Sequence, residues 1–239
     1  MKLSKIFFLL TMVLTIASGA VIAQERGQYL PGFRGLNPAE QPPPGVTYAN
    51  YFVWYPTKKY KDRNGDTAPV NFDLGIIADI NLVAYTPKKK FLGATYSASI
   101  AVPIMNSALT IPRIGADLTA SAAFGDIYFE PLSLGWALKK GKVRAAYGFV
   151  APTGAKRVGS DYWGHQFTFG GTYNPGKTGL WQISGSSVWE LHHKKLNSDV
   201  TVGDNVTFEY GVGRTFVRNK GAQLYQLGLV GYSEFQLTN

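Results

Sequence analysis

The chain is expected to be all-β, an antiparallel up-and-down β-barrel that crosses a membrane with its strands. Three observations predict this fold. Long segments alternate apolar and polar residues with period two, Trp and Tyr gather near the segment ends, and short turns alternate with long connections.

The first residues set the compartment. Lys2 and Lys5 precede an apolar run over 6–16, and the small residues Ala17, Ser18, Gly19, Ala20 and Ala23 follow. This three-part build predicts a secretory signal peptide over 1–23, cut after Ala23 or after Ala20. The run is too short to be an anchor, because ~30 Å of hydrocarbon at 1.5 Å per residue needs about 20 apolar residues. No second long apolar run follows, so the mature chain is expected to have no membrane helix. Cysteine is absent, which excludes both a disulfide framework and a thiolate metal site. Lys and Arg number 24 against 15 Asp and Glu, and losing Lys2 and Lys5 with the signal leaves 22 against 15, or +7. In a cytosolic chain that excess would suggest nucleic acid. In an exported chain whose basic residues fall mostly in turns, anionic lipid is the expected counterpart and no nucleic-acid partner is expected.

Residues 24–45 contain Pro42, Pro43 and Pro44 and predict an extended, non-helical lead-in to a barrel domain over 46–239. Strands are then expected near 46–57, 70–86, 91–105, 125–138, 142–151, 162–174, 179–192, 205–218 and 222–237. In the third, Leu92, Ala94, Tyr96, Ala98, Ile100, Val102 and Ile104 alternate with Gly93, Thr95, Ser97, Ser99 and Ala101. The sixth and seventh behave alike: Trp163, Phe167, Phe169 and Tyr173 oppose Gln166, Thr168, Gly170 and Thr172, and Trp181, Ile183 and Trp189 oppose Gln182, Ser184 and Glu190. Each such strand has one apolar and one polar face. The segments reach the ~9–11 residues of a tilted membrane-spanning strand. Tyr48, Trp54, Tyr55, Tyr162, Trp163, Trp181, Trp189 and Tyr232 are placed as an interfacial girdle would be. Short turns at 86–90, 139–141, 175–178 and 219–221 alternate with longer connections at 58–69, 106–124, 152–161 and 193–204, the rhythm of an outer-membrane barrel. A soluble periplasmic β-sandwich is the alternative fold.

Energetics orient the faces. A Lys or Arg in mid-bilayer costs roughly 2–4 kcal/mol, so Lys142 and Arg144 turn inward and Val143, Ala145, Tyr147 and Phe149 meet lipid. The same alternation assigns Asn71, Asp73, Asp79, Asn81, Glu130, Gln166, Gln182, Glu190, Glu209, Gln226 and Glu234 to the lumen. Around Glu130 the apolar phase changes, which predicts a β-bulge at Pro131 that keeps Glu130 inward. Arg214 shares a face with Phe208, Tyr210, Val212 and Phe216, and is expected either to snorkel or to follow a bulge at Gly211 and Gly213. Nine strands are countable, whereas bacterial barrels use an even number. Ten or twelve are expected in a closed barrel, and the ending Leu237-Thr238-Asn239 suggests a C-terminal truncation.

Several stretches resemble a known family. They are Pro43-Pro44-Gly45-Val46-Thr47-Tyr48-Ala49-Asn50-Tyr51 with Lys61-Asp62-Arg63-Asn64-Gly65, then Phe124-Gly125-Asp126-Ile127-Tyr128-Phe129-Glu130-Pro131-Leu132-Ser133-Leu134-Gly135-Trp136. Tyr147-Gly148-Phe149-Val150-Ala151-Pro152-Thr153-Gly154, Asp161-Tyr162-Trp163 and Val230-Gly231-Tyr232 follow in the same order. Together they resemble the family called MetA-pathway of phenol degradation. The resemblance implies an outer-membrane barrel of the porin-like superfamily, associated with uptake of aromatic or other small hydrophobic compounds.

Catalytic chemistry finds little support. His165, His192 and His193 lack further ligands at metal spacing, so no metal and no cofactor is expected. Ser160, Asp161 and His165 lie near an outer rim, the minimum a lipid-modifying barrel enzyme would need. Lys156 after Gly154 lacks the rest of a phosphate loop, and the sequon Asn205-Val206-Thr207 is without meaning in a bacterial exported chain. The lumenal carboxylates facing Lys142 and Arg144 could form a selective constriction or could pair and plug the interior, and both readings stand. The expected protein is thus not an enzyme. It is a channel of the Gram-negative outer membrane for small hydrophobic or aromatic permeants, with a structural or adhesive barrel as the alternative. Its expected partners are outer-membrane lipid, lipopolysaccharide and the barrel-assembly machinery.

Overall fold

A computed structural model describes residues 27–59, 66–67, 71, 73–219 and 222–238, so the signal peptide expected at 1–23 and the motif at 61–65 lie outside the described residues. Among the described residues ten strands form one antiparallel sheet: β1 Gly45–Thr57, β2 Asp73–Thr86, β3 Thr95–Ile111, β4 Ala116–Phe124, β5 Ile127–Leu138, β6 Gly141–Ala151, β7 Gly164–Tyr173, β8 Trp181–His192, β9 Asn205–Arg218 and β10 Gln223–Gln236. The order is β1-β2-β3-β5-β6-β7-β8-β9-β10, with β4 paired to β3 alone. Consecutive strands pair because turns such as Lys139-Lys140 and 174–180 are too short for anything else, Gly176 and Gly179 taking the positive φ values of 81° and 64°. Strands β1 and β10 end the order, so the sheet is a half-barrel rather than a closed cylinder among the described residues. No second sheet packs on it there, which corrects the sandwich alternative.

One expected connection is a pair of strands. The spacing predicts a long connection over 106–124, yet β3 continues to Ile111, one 3-10 turn at Pro112–Ile114 reverses the chain, and β4 returns along it. The 17-residue β3 pairs with β5 through Thr95–Ala101 and with β4 from Ile104 to Ile111. Strands β4 and β5 together therefore form one wall strand, interrupted at Gly125 and Asp126. The interruption has a cause: the Asp126 carboxylate accepts from the Gly154 and Ser160 amides at 2.8 and 2.6 Å and so ties down the 152–161 loop.

The bulge expected at Pro131 is present. Phe129 faces Phe149 and Leu132 faces Tyr147, so Glu130 and Pro131 together oppose Gly148. Glu130 is thereby buried on the inner face while Leu132 and Trp136 turn outward. At Arg214 the register of β9 with both neighbours is unbroken, which removes the bulge alternative. Arg214 stays on the outer face, exposed, against Trp181 and Phe216.

Much of the outer face is apolar and bare. Leu229 is 78 % exposed, Val46 74 %, Leu227 73 %, Phe52 70 % and Trp54 69 %. A soluble monomer rarely exposes an apolar patch beyond a few hundred Å², so this surface calls for lipid. Tyr162 departs from the expected girdle: it is buried, edge-on to His192 with ring centroids 5.2 Å apart.

Candidate functional site

The inner face is occupied by the lead-in, which was expected only as an extended preface to the barrel. Gln28 donates to the Ser160 hydroxyl at 2.7 Å beside the long connections, and Gly45 opens β1 at the short-turn end. The chain between them runs the length of the interior. It touches β1 through Phe33 and Tyr51, whose rings lie 4.6 Å apart, and β3 and β5 through Gln41, which bonds Ser97 at 2.7 Å and Ser133 at 2.8 Å. Only a curled sheet lets a single short segment reach so many strands.

Glycines make room for it. A Cβ at Gly170 would sit 2.8 Å from the Pro38 carbonyl oxygen, and one at Gly213 or Gly228 would sit 2.7 Å from the Leu36 side chain. At Gly135 it would strike Gln41. Gly211 and Gly213, suspected of a bulge, instead form part of the seat for Leu36. Gly170→Leu should therefore unseat the segment, since the obstructing atom at Pro38 is backbone. Trypsin should then cleave at Arg34 in folded variant protein while leaving the native protein intact there, and equal protection in both would refute the seating.

Most of the wall's inward charged side chains engage this segment. Arg34 donates to Glu130 Oε2 at 3.1 Å, and Arg144 bonds Glu130 Oε1 from the other side. Tyr128 adds a phenol at 3.0 Å, and Ser133 accepts from Arg144 Nε at 2.8 Å. Glu190 accepts from the Tyr29 amide at 2.8 Å and from Gln166 at 3.0 Å, while Glu209 accepts from the Tyr29 hydroxyl at 2.8 Å and from the Gly32 amide. Burial, with the Glu209 carboxylate next to it, raises the Tyr29 phenol far above its ordinary pKa, so it remains a donor. Lys142 bonds Glu40 at 2.7 Å, Gln182 bonds the Leu36 carbonyl and Asn37, and Asn37 donates to Gln226 at 3.1 Å. Glu234 accepts from Asn205 at 2.8 Å.

Nine of the residues assigned to the lumen therefore lie on the inner face: Glu130, Lys142, Arg144, Gln166, Gln182, Glu190, Glu209, Gln226 and Glu234. Glu130 reaches Arg144 on the adjacent strand and does not face it across the barrel. The assignment fails on β2. Asp79 faces Phe52 and Asn81 faces Asn50 in the register, and the face they share carries exposed Phe52, Trp54, Ile77 and Val83. Asp73, six residues before Asp79 on the same strand, falls on this outer face too, and its carboxylate reaches Lys58 at 3.5 Å. Asn71 is exposed ahead of the strand. Asn50 bonds Asp79 and Tyr48 donates to Asn81 at 2.6 Å, so the outward polar groups satisfy one another. The physical reason lies on the inner side: Ile80 and Leu82 pair across from Tyr51 and Ala49, on the face where Phe33 packs. An apolar lead-in side chain thus draws the apolar side of β2 inward.

The residues suggested for lipid chemistry do not converge. The Ser160 hydroxyl donates to Asp126 at 2.6 Å, Asp161 accepts from the Asn197 amide at 3.0 Å, and His165 pairs with Tyr147 at 2.9 Å and with His193 at 3.2 Å. His192 instead bonds the Gly203 carbonyl at 2.8 Å. Among the described residues, no three His, Asp or Glu side chains gather as a metal would need.

A family profile described as "Putative MetA-pathway of phenol degradation" matches residues 57–239. No curated protein matches the chain. Among solved structures, an outer membrane channel from Pseudomonas putida F1 superposes with a TM-score of 0.63 at 15% identity, covering 87% of this chain and 79% of that one. At that identity the likeness is one of fold.

Proposed function

The chain belongs to the family described as putative MetA-pathway of phenol degradation, and from that premise we propose that it is an outer-membrane channel for passive uptake of small hydrophobic or aromatic compounds. One observation carries this reading. The interior is divided, with a polar side over β5–β10 that the lead-in occupies and a more apolar side over β1–β3. Ala78, Ile80, Leu82, Ala84 and Ala101 line the apolar side beside Tyr51 and Phe33. Water-filled barrels carry polar interiors, whereas an inner apolar strip offers an aromatic solute a path without full rehydration. Contact with lipopolysaccharide and insertion by the barrel-assembly machinery belong to the same proposal.

Protein reconstituted in liposomes should speed the equilibration of a phenol-sized aromatic and have little effect on a sugar of similar size. Ile80→Asp should cut the aromatic rate several-fold, because a buried carboxylate in that strip opposes apolar transfer. The second reading, a barrel without an open path, draws on the lead-in that fills the polar side. Aromatic flux no faster than through empty liposomes would establish it.

A further inference from the structure

The outer face carries an arginine that the lumen does not use. Arg214 lies near the short-turn end of β9 with its guanidinium 5.5 Å from the Trp181 ring centre and 5.2 Å from that of Phe216. Trp181 and Leu227 are its neighbours across the two flanking strands. Among the described residues no carboxylate pairs with it. Arg218, four residues on and exposed like Arg214, adds a second positive charge to the same edge of the wall.

Toward the long-loop end the same face becomes a trough. Ile183 and Val212 sit opposite each other one step above Arg214. Beyond them lies a groove of about 700 Å³, bounded by Phe169, Phe208 and Tyr210 and floored by Ala145, Gly185 and Ser187. Gly171, the cross-strand partner of Gly185, extends the floor. These two glycines differ from those on the inner face. A Cβ at either would meet nothing nearer than 3.8 Å, and neither has a positive φ, so the fold does not require glycine there. Their effect is to leave a channel in an otherwise bulky, aromatic wall.

We propose that this strip is a binding site for an anionic phospholipid. Arg214 takes the headgroup phosphate between the rings of Trp181 and Phe216, and an acyl chain passes Ile183 and Val212 into the groove. The inference rests on the membrane reading above. From Arg214 to Tyr210 is four strand residues, about 13 Å, which carries the site from the interface well into the hydrocarbon. Aromatic side chains mark such interfaces, and an arginine there extends to the headgroup level. A cation on a lipid-facing wall with no carboxylate beside it among the described residues selects an anion. Phospholipid supplies that anion together with a chain that fits an apolar trough.

The test uses full-length protein in vesicles of equal phosphatidylglycerol and phosphatidylcholine. Co-flotation is read first, then the lipids retained in mild detergent are counted by native mass spectrometry. The wild type should keep phosphatidylglycerol over phosphatidylcholine by about fivefold. Arg214→Gln should bring that ratio close to one, and Arg214→Lys should preserve most of it. Gly185→Leu, whose Cβ would meet nothing nearer than 3.8 Å, should lower retention of both lipids without changing flotation. Equal retention of the two lipids by floating wild-type protein overturns the site, as does an unchanged ratio in Arg214→Gln or unchanged retention in Gly185→Leu. Protein that fails to float refutes the membrane reading itself.

Discussion

Glu130→Ala should destabilise the protein by roughly 3–5 kcal/mol, the cost of removing one partner from a buried ion pair and leaving the other uncompensated. Two guanidinium groups depend on this carboxylate. The Arg144 side chain is 2 % exposed and that of Arg34 18 %, so water cannot replace what they lose. Arg34→Ala should cost less, because Arg144 and Tyr128 still hold Glu130 after it. A double change of Glu130 and Arg144 to apolar residues of similar volume should recover part of the loss. Denaturant unfolding in detergent, followed through tryptophan fluorescence, measures all three. A Glu130→Ala midpoint equal to that of the wild type would show that water reaches the cluster and that the triad does not anchor the lead-in.

Deleting residues 27–43 while keeping residues 1–26 should raise single-channel conductance severalfold and make it cation-selective. The polar interior would lose the groups that fill it, exposing Glu130, Glu190, Glu209 and Glu234 against Lys142 and Arg144. Four carboxylates against two cations leave a net charge of −2 on that surface, and a ring of such sign admits cations. Conductance in planar bilayers and the reversal potential in a salt gradient report the two effects. An unchanged conductance would mean that the lead-in is not the occlusion. Increased conductance with anion selectivity would contradict the assignment of those carboxylates to the inner face.

The Glu130 cluster and the lead-in are unequally legible in the sequence. Glu130 was placed inward by a change in apolar phase, and a bulge at Pro131 followed because a charged group in lipid costs more than a lost ladder bond. Both features are set by neighbours along the chain. Nothing comparable announced that residues 27–43 would lie inside. The available hint was a set of glycines at inward positions, Gly135, Gly170, Gly213 and Gly228, which together make a groove. Each looked locally like an ordinary weak point in a strand. Their common purpose appears only when Pro38, Leu36 and Gln41 are set against them.

By itself the sequence determined the strand periods, the short turns, the bulge at Pro131 and which side chains share a face, since each of these is set within one strand or one turn. It did not determine which face of β2 is the inner one. Period-two alternation is symmetric under exchange of inside and outside, and Asp79 and Asn81 turn outward because Phe33 and Tyr51 occupy the opposite side. The tertiary structure also decided that the β3–β4 segment is a hairpin and that the lead-in fills the polar lumen. Contacts such as Arg34 to Glu130, 96 residues apart, leave no local signature, because their free energy is gained only after the wall has curled around them.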